Sequence, residues 1–366
     1  MGAILTHFDL GGEVGAVEPV AEGHVNRSWT VTLRSPGTGP RPPKIEPGFL
    51  LQRINAQVFP HPGRVLENVA RVTAHLAAAI RAAGLPSPER RALALVPTRD
   101  GGLWHRDGEG WYWRVYPFIT GTKVQEHVTT PAEARQVGRA FGSFQRLLSD
   151  YRGEPLHETI PRFHDTAWRV AALEAAAGAD RAGRLAGCRR EVDALIGRRA
   201  VAAVLPSLLA SGSVPRRIAH NDAKSSNVLL DQSTGEALCV VDLDTVMPGT
   251  ALADFGDMVR SSTSPTAEDE PELSRVFVRR DLFAALAEGY LSEAGATLTA
   301  AEREHLVFAG RWITYEQAVR FLTDHLDGDR YYRVTHPGHN LQRAGAQLAL
   351  LESLERQEDR LRGDIA

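Results

Sequence analysis

Between His220 and Asp231 the chain reads HNDAKSSNVLLD, and a short way on a second acidic stretch, VVDLD, places Asp242 and Asp244. The first stretch supplies a carboxylate at Asp222, an ammonium at Lys224 and an amide at Asn227. The apolar runs NVLLD and ALCVVDLD flank QSTGE in the pattern of a β-hairpin, which would bring the two polar ends together. Carboxylates held side by side repel, and a divalent cation relieves that repulsion. Hard oxygen donors suit Mg²⁺, which takes one or two carboxylates and completes its shell with water and substrate phosphate. The expected cosubstrate is therefore a nucleotide.

The spacing assigns roles. An Asp, a Lys two positions on, an Asn five positions on and a further Asp beyond a hairpin match the layout of a kinase catalytic loop and its metal-binding aspartate. In that layout Asp222 takes the proton of an acceptor hydroxyl. Lys224 faces the transferred phosphoryl group, and Asn227 and Asp242 hold Mg²⁺. An isolated H-x-D is equally a capped turn, but two acidic motifs at hairpin spacing leave that reading little support. A lone histidine such as His220 is expected to act as a supporting hydrogen-bond donor. Only Lys44, Lys123 and Lys224 among the 42 basic residues are lysines, so a lysine inside this polar cluster stands out.

The elements that must position these groups follow from periodicity and punctuation. SWTVTL and FLLQRI read as strands joined by the Pro- and Gly-rich loop Arg34 to Gly48, and LALVP and WYWRVYPFI read as further strands. Between them, apolar residues at 65, 66, 69, 72, 76 and 80 form a helical stripe that stops at Gly84. Thr130 to Glu133, with proline at the first helical position, is a capping box leading a second helix. Thr299 to Glu302 is another, predicting a helix to about Leu326, and a third helical pattern runs from Asn340. The chain thus divides into a small α+β lobe, 1–119, and a larger, mainly helical lobe, 120–366.

Composition narrows the partners. At 366 residues, one large or two medium domains are expected. A net charge of −3 without a basic run argues against nucleic acid or an anionic membrane as partner and leaves small molecules. No stretch is long enough to span a bilayer, and MGAILTHFDL lacks the basic start and apolar core of a secretory signal. A cytoplasmic protein is expected, with a monomer as default. Cys188 and Cys239 lie far apart without metal-ligand spacing, which argues against a disulfide framework or a zinc site.

HNDAKSSNVLLD followed by VVDLDTVMPGTALADFGD resembles the aminoglycoside phosphotransferase and choline kinase-like superfamily, whose members have a protein-kinase-like bilobal fold. Within it the chain is similar to the N-acetylhexosamine 1-kinase family through GHVNRSW, FLLQRINAQVF, RFLTDHLDGDRYY and HNLQRAGAQ. The resemblance implies ATP- and Mg²⁺-dependent phosphorylation of the anomeric hydroxyl of an N-acetylhexosamine. It makes Gly23, Asn26 and Ser28 part of the loop over the nucleotide, and His24 a sugar contact. Gln52, with Arg53 beside it, stands where kinases place a strand lysine, and strand alternation sends the two to opposite faces. Glu67 would be the partner glutamate on the helix. Tyr116 and Phe118 would lie on the segment offering backbone groups to adenine, and Asp222, Asp244, Arg320 and Tyr331 beside the acceptor. From spacing alone, Arg320 fits a helix-surface ion pair with Glu316 or Asp324. Two rival readings stay open: a kinase for another hydroxylated acceptor, and a nucleotide-binding pseudokinase-like module, motivated by the missing strand lysine.

Overall fold

A computed structural model describes residues 1–20, 25–34 and 48–365, so Gly23, His24 and most of the loop Arg34 to Gly48 lie outside the described residues. The N-terminal part comprises α1 (Gly2–Leu5), β1 (Val14–Pro19), β2 (Arg27–Leu33), β3 (Phe49–Arg53), α2 (Pro62–Ala82), β4 (His105–Arg106) and β5 (Tyr112–Pro117). The strands form one antiparallel sheet in the order β1-β2-β3-β5-β4. Register decides what the sheet presents. Ser28, Gln52 and Arg114 lie in one cross-strand row, and Trp29, Leu51 and Val115 in the next. Because side chains alternate, Leu51, Val115 and Trp113 face a small core with Leu5 and Phe8, while Gln52 and Arg114 face the other way. The helical stripe is as expected: Val65, Leu66, Val69, Val72, Leu76 and Ile80 are buried along α2, and the chain leaves it through Gly84 at φ +65°. LALVP is not a strand. Val96 donates to the Val115 carbonyl at 2.9 Å, and then Pro97, which has no N–H, interrupts any ladder.

The larger part continues with β6 (Thr122–Val124), α3 (Pro131–Leu148), α4 (Thr166–Ala179), α5 (Arg189–Gly197), α6 (Val204–Ala210), β7 (Arg217–Ala219), β8 (Val228–Asp231), β9 (Ala237–Val240) and β10 (Met247–Gly249). It ends with α7 (Ala251–Ser262), α8 (Arg280–Ala294), α9 (Ala300–Glu304), α10 (Leu306–Leu326) and α11 (His339–Gly363). β8 and β9 pair antiparallel as the expected hairpin, β6 adds a third strand on β8, and β10 pairs with β7. Both capping boxes form, at Thr130 with Glu133 and at Thr299 with Glu302. The helix expected from Thr299 to Leu326 is broken at His305, whose ring bonds back to the Ala301 carbonyl at 2.7 Å. Among the described residues no helix is long and apolar enough to cross a membrane. Cys188 and Cys239 are both buried and free.

Helices α3 and α8 approach so closely that side chains are excluded. A Cβ on Gly138 would lie 2.2 Å from the Leu286 carbonyl oxygen, and one on Gly289 would lie 2.2 Å from that of Arg135. Gly138→Ala is expected to destabilise the protein by about 1–3 kcal/mol, the usual cost of overpacking. Urea unfolding would show a lower midpoint with an unchanged slope.

Candidate active site

The loop after β7 is held from below by α7. Thr250 caps that helix through the Ala253 amide, and in its first turn the buried carboxylate of Asp254 accepts the His220 and Asn221 amides at 2.9 and 2.8 Å. Asn221 adopts a left-handed conformation at φ 63°, which Asn tolerates, and its side chain donates to the Ala219 and Thr245 carbonyls at 3.1 and 3.0 Å. The His220 ring stands edge-on to Phe141 and Phe144 and donates from Nε2 to the Val241 carbonyl at 3.0 Å. Its Nδ1 is therefore an acceptor, receiving the Asp222 amide at 3.3 Å. His220 thus ties the catalytic-type loop to the strand that leads to Asp242.

On this scaffold the polar residues converge. The Lys224 ammonium and the Asn227 amide both reach Asp222 Oδ2, each at 3.0 Å, and the same Asn227 amide donates to the Asp222 carbonyl at 2.8 Å. Asp222 Oδ1 and Asn227 Oδ1 have no hydrogen-bond partner among the described residues. Burial opposes ionisation of Asp222, but the charge and hydrogen bond of Lys224, together with the charges of His220 and Arg260, hold the carboxyl below its usual range; the charge of Asp222 in turn raises Lys224. Asp242 follows β9 at φ 59°, open to solvent on one side, with a carboxylate free of hydrogen bonds and ion pairs among the described residues. Partial desolvation, then the like charges of Asp244 and Asp222, push its carboxyl up to about 6. Asp242 and Asn227 Oδ1 together offer one carboxylate and one amide oxygen. That is too few donors for a structural metal, but it fits Mg²⁺ completing its shell with phosphate and water. No cluster of three or more acidic, His or Cys ligands exists among the described residues.

Asp244 is engaged differently from the acceptor role expected of it. It is buried, and its two oxygens accept from Arg114 and Asn26, each at 2.5 Å. Arg114, only 1% exposed, also donates to Gln52 Oε1 at 3.0 and 2.9 Å, and Gln52 Nε2 donates to Ser28 at 3.0 Å. Asn26, Ser28 and Gln52 therefore join one network that fastens the sheet to the loop carrying Asp242, with Arg114 at its centre. Arg53 points to the opposite face, 4.4 Å over the Trp111 ring. Glu67 accepts from His157 at 2.7 Å and lies 3.9 Å from Arg71, while its neighbour Asn68 is buried. Tyr116 is buried under Arg114 with a hydroxyl that has no partner among the described residues, and Phe118 is partly exposed.

The residues expected beside the acceptor, Arg320 and Tyr331, sit on α10 and the loop after it. Arg320 makes neither of the ion pairs its spacing allows. Glu316 is held by His164 at 2.8 Å and by Thr166, and Asp324 accepts the amides of Arg330, Tyr331 and Tyr332 at 2.8, 2.8 and 2.9 Å. Arg320 instead lies over the rings of Phe163 and Tyr332 at 5.1 and 5.7 Å and donates to Gln317 at 3.2 Å. Its electrostatic surroundings include Asp222. Tyr331 is 57% exposed and packs edge-on against Tyr332. A cavity of about 200 Å³ between α2, α3 and β9 contains none of these residues.

Sequence reasoning missed Arg114 and Asp254. An acid in the first turn of the apolar helix that follows VVDLD was a usable signal for Asp254. Arg114 had none, because an arginine inside a strand ordinarily snorkels to solvent.

The phosphotransferase enzyme family model, known as APH, matches residues 17–305, more than half of the chain. Solved structures with the same fold include a microcompartment-associated aminopropanol kinase, 17% identical with a TM-score of 0.58 over 99% of this chain and 97% of that one. A choline/ethanolamine kinase family protein from Mesorhizobium loti is 16% identical with a TM-score of 0.54 over 100% and 97%. An amicoumacin kinase in complex with AMP-PNP and Ca²⁺ is 12% identical with a TM-score of 0.55 over 95% and 90%. With its small antiparallel sheet, its larger helical part and the polar loop between β7 and β8, this chain belongs to the APH phosphotransferase enzyme family and has the protein-kinase-like fold of those neighbours.

Proposed function

We propose that the protein uses ATP and Mg²⁺ to phosphorylate the anomeric hydroxyl of an N-acetylhexosamine, giving the sugar 1-phosphate and ADP. The observation that carries the acceptor is Arg320. A site for an aminoglycoside or amino alcohol needs spare carboxylates to meet the acceptor's positive charge. Here a guanidinium lies over the rings of Phe163 and Tyr332, and Glu316 and Asp324 are consumed internally. Arg320 is placed to donate to sugar hydroxyls or an acetamide carbonyl, and exposed Tyr331 can stack on a sugar face. The amicoumacin kinase holding AMP-PNP and Ca²⁺ supports a nucleotide donor and a divalent cation.

In this reading residues 1–119 form the nucleotide lobe and 120–366 the catalytic and acceptor lobe. Asp222 presents Oδ1 to the acceptor hydroxyl, orients it and takes its proton, while Lys224 and Asn227 fix Oδ2. Lys224 offsets charge on the transferred phosphoryl oxygens. Asn227 Oδ1 and Asp242 hold Mg²⁺, which, when bound, neutralises phosphate charge. Asn26, Ser28 and Gln52 form the roof over the nucleotide. Tyr116 and Phe118 flank the adenine edge through their backbone. The presence of Asp222, Asn227 and Asp242 together speaks against the pseudokinase reading.

Asp242→Asn is expected to abolish Mg²⁺-dependent nucleotide binding, read by calorimetry. Its ligand-free form should melt no lower than wild type at pH 7.5. A carboxyl whose pKa is raised on folding destabilises the native state once ionised, so that penalty is full above about 6 and fades as pH falls toward the unfolded value near 4. The gap between variant and wild type should close over the same window.

The names of the neighbours favour a second reading, an amino alcohol kinase. A panel of free hexosamines, amino alcohols and aminoglycosides with ATP and Mg²⁺, read by phosphorus NMR, separates the two. A phosphate on the anomeric carbon supports the proposal; transfer only to amino alcohols or antibiotics sinks it.

A further inference from the structure

Arg320 is not the only guanidinium in its corner. Arg169, on α4, lies 4.8 Å from the Trp168 ring, and Arg162 lies 5.9 Å from the same ring. None of the three arginines has an ion-pair partner among the described residues. Arg169 donates to the Phe163 carbonyl at 3.3 Å, and its Nε is buried without a hydrogen-bond partner among the described residues. Arg320 donates to Gln317 alone. The acid built into this corner, Glu316, is spent on His164 and Thr166. Burial, then the charge of Arg320, lower the pKa of Arg169, as expected of two like charges brought together.

Three other enclosed arginines are paired. Arg114 has Asp244, Arg217 has Glu302 and Arg260 has Asp257. The acceptor corner departs from that habit while exposing Trp168 and Tyr331, 41% and 57% accessible, as flat surfaces beside the charges. A partly desolvated guanidinium left unpaired costs free energy, and its planar fork matches a carboxylate with two parallel hydrogen bonds. Through His164, which contacts both Glu316 and the Asn221 carbonyl at 3.3 Å, the corner is continuous with the loop that carries Asp222.

We infer that the preferred acceptor is a hexosamine bearing a carboxylate, which Arg169 binds together with Arg320. The inference rests on the hexosamine 1-kinase reading and narrows it, making Arg169 a specificity-determining contact.

The test compares kcat and KM for three acceptors: N-acetylglucosamine, its C6 carboxylate, and an O3-carboxyalkyl ether of the same sugar. Each is assayed with wild type, Arg169→Gln and Arg169→Lys. A charge-assisted pair predicts that at least one acidic sugar exceeds the neutral one in kcat/KM by about tenfold, through KM. Arg169→Gln should raise KM for that acid far more than for the neutral sugar, and Arg169→Lys should keep part of the preference. Equal or better use of the neutral sugar by wild type overturns the inference and leaves the hexosamine reading standing. Transfer to no hexosamine, with an amino alcohol phosphorylated instead, overturns both. If Arg169→Gln does not fold, the wild-type ratio and the lysine variant still decide.

Discussion

Asp222→Asn is expected to lower turnover by about two to four orders of magnitude, the usual contribution of a positioned general base, while nucleotide binding persists. The substitution keeps the shape of the side chain, so an oxygen at the Oδ2 position can still accept from Lys224 and Asn227. What it removes is the ability to take a proton from the acceptor. Neither side-chain contact of Asp222 reaches the sheet, so the nucleotide-induced rise in melting temperature should survive in the variant. ADP release measured beside that thermal shift gives both quantities. Near-normal turnover in a folded variant would remove Asp222 from the role proposed for it.

Arg114→Met is expected to cost about 3–5 kcal/mol, because it leaves the buried Asp244 carboxylate without its cation. The melting temperature should fall by several degrees, and the Mg²⁺ concentration for half-maximal activity should rise, since Asp244 anchors the turn that presents Asp242. Combining Arg114→Met with Asp244→Leu should recover much of the stability, because an apolar pair in place of a buried ion pair is often neutral. The shortfall from additivity measures the coupling. Recovered stability without recovered Mg²⁺ affinity would separate the positioning of Asp242 from mere packing. Full additivity of the two single losses would mean that Arg114 and Asp244 do not act as a pair.

Much of the fold was legible because it depends on neighbours in the chain. The α2 stripe, the two capping boxes and the β8–β9 hairpin each rest on residues within a few turns of one another, where helical and strand periods and cap chemistry apply directly. The misreadings were of the opposite kind. LALVP has a strand's composition but no uninterrupted partner, and His305 breaks the long helix through a side-chain bond that apolar periodicity does not register. Glu67, expected as the partner glutamate on α2, pairs instead with His157, far away in sequence, while its neighbour Asn68 is buried.

By itself, then, the sequence determined the family-level chemistry. The residue types and spacing from Asp222 to Asp242 are local, and a hairpin between them can bring the two ends together in only a few ways. Tertiary structure decided what surrounds that chemistry. Arg114 meets Asp244 across 130 positions, and Arg320 is left without an ion-pair partner among the described residues because His164 and Thr166 reach Glu316 from about 150 positions away. Such pairings depend on which faces of distant elements come together and on which buried charges find partners first. Periodicity along the chain carries no record of either, so the turn carrying Asp242 could be read from the sequence while the unpaired charge around Arg320 could not.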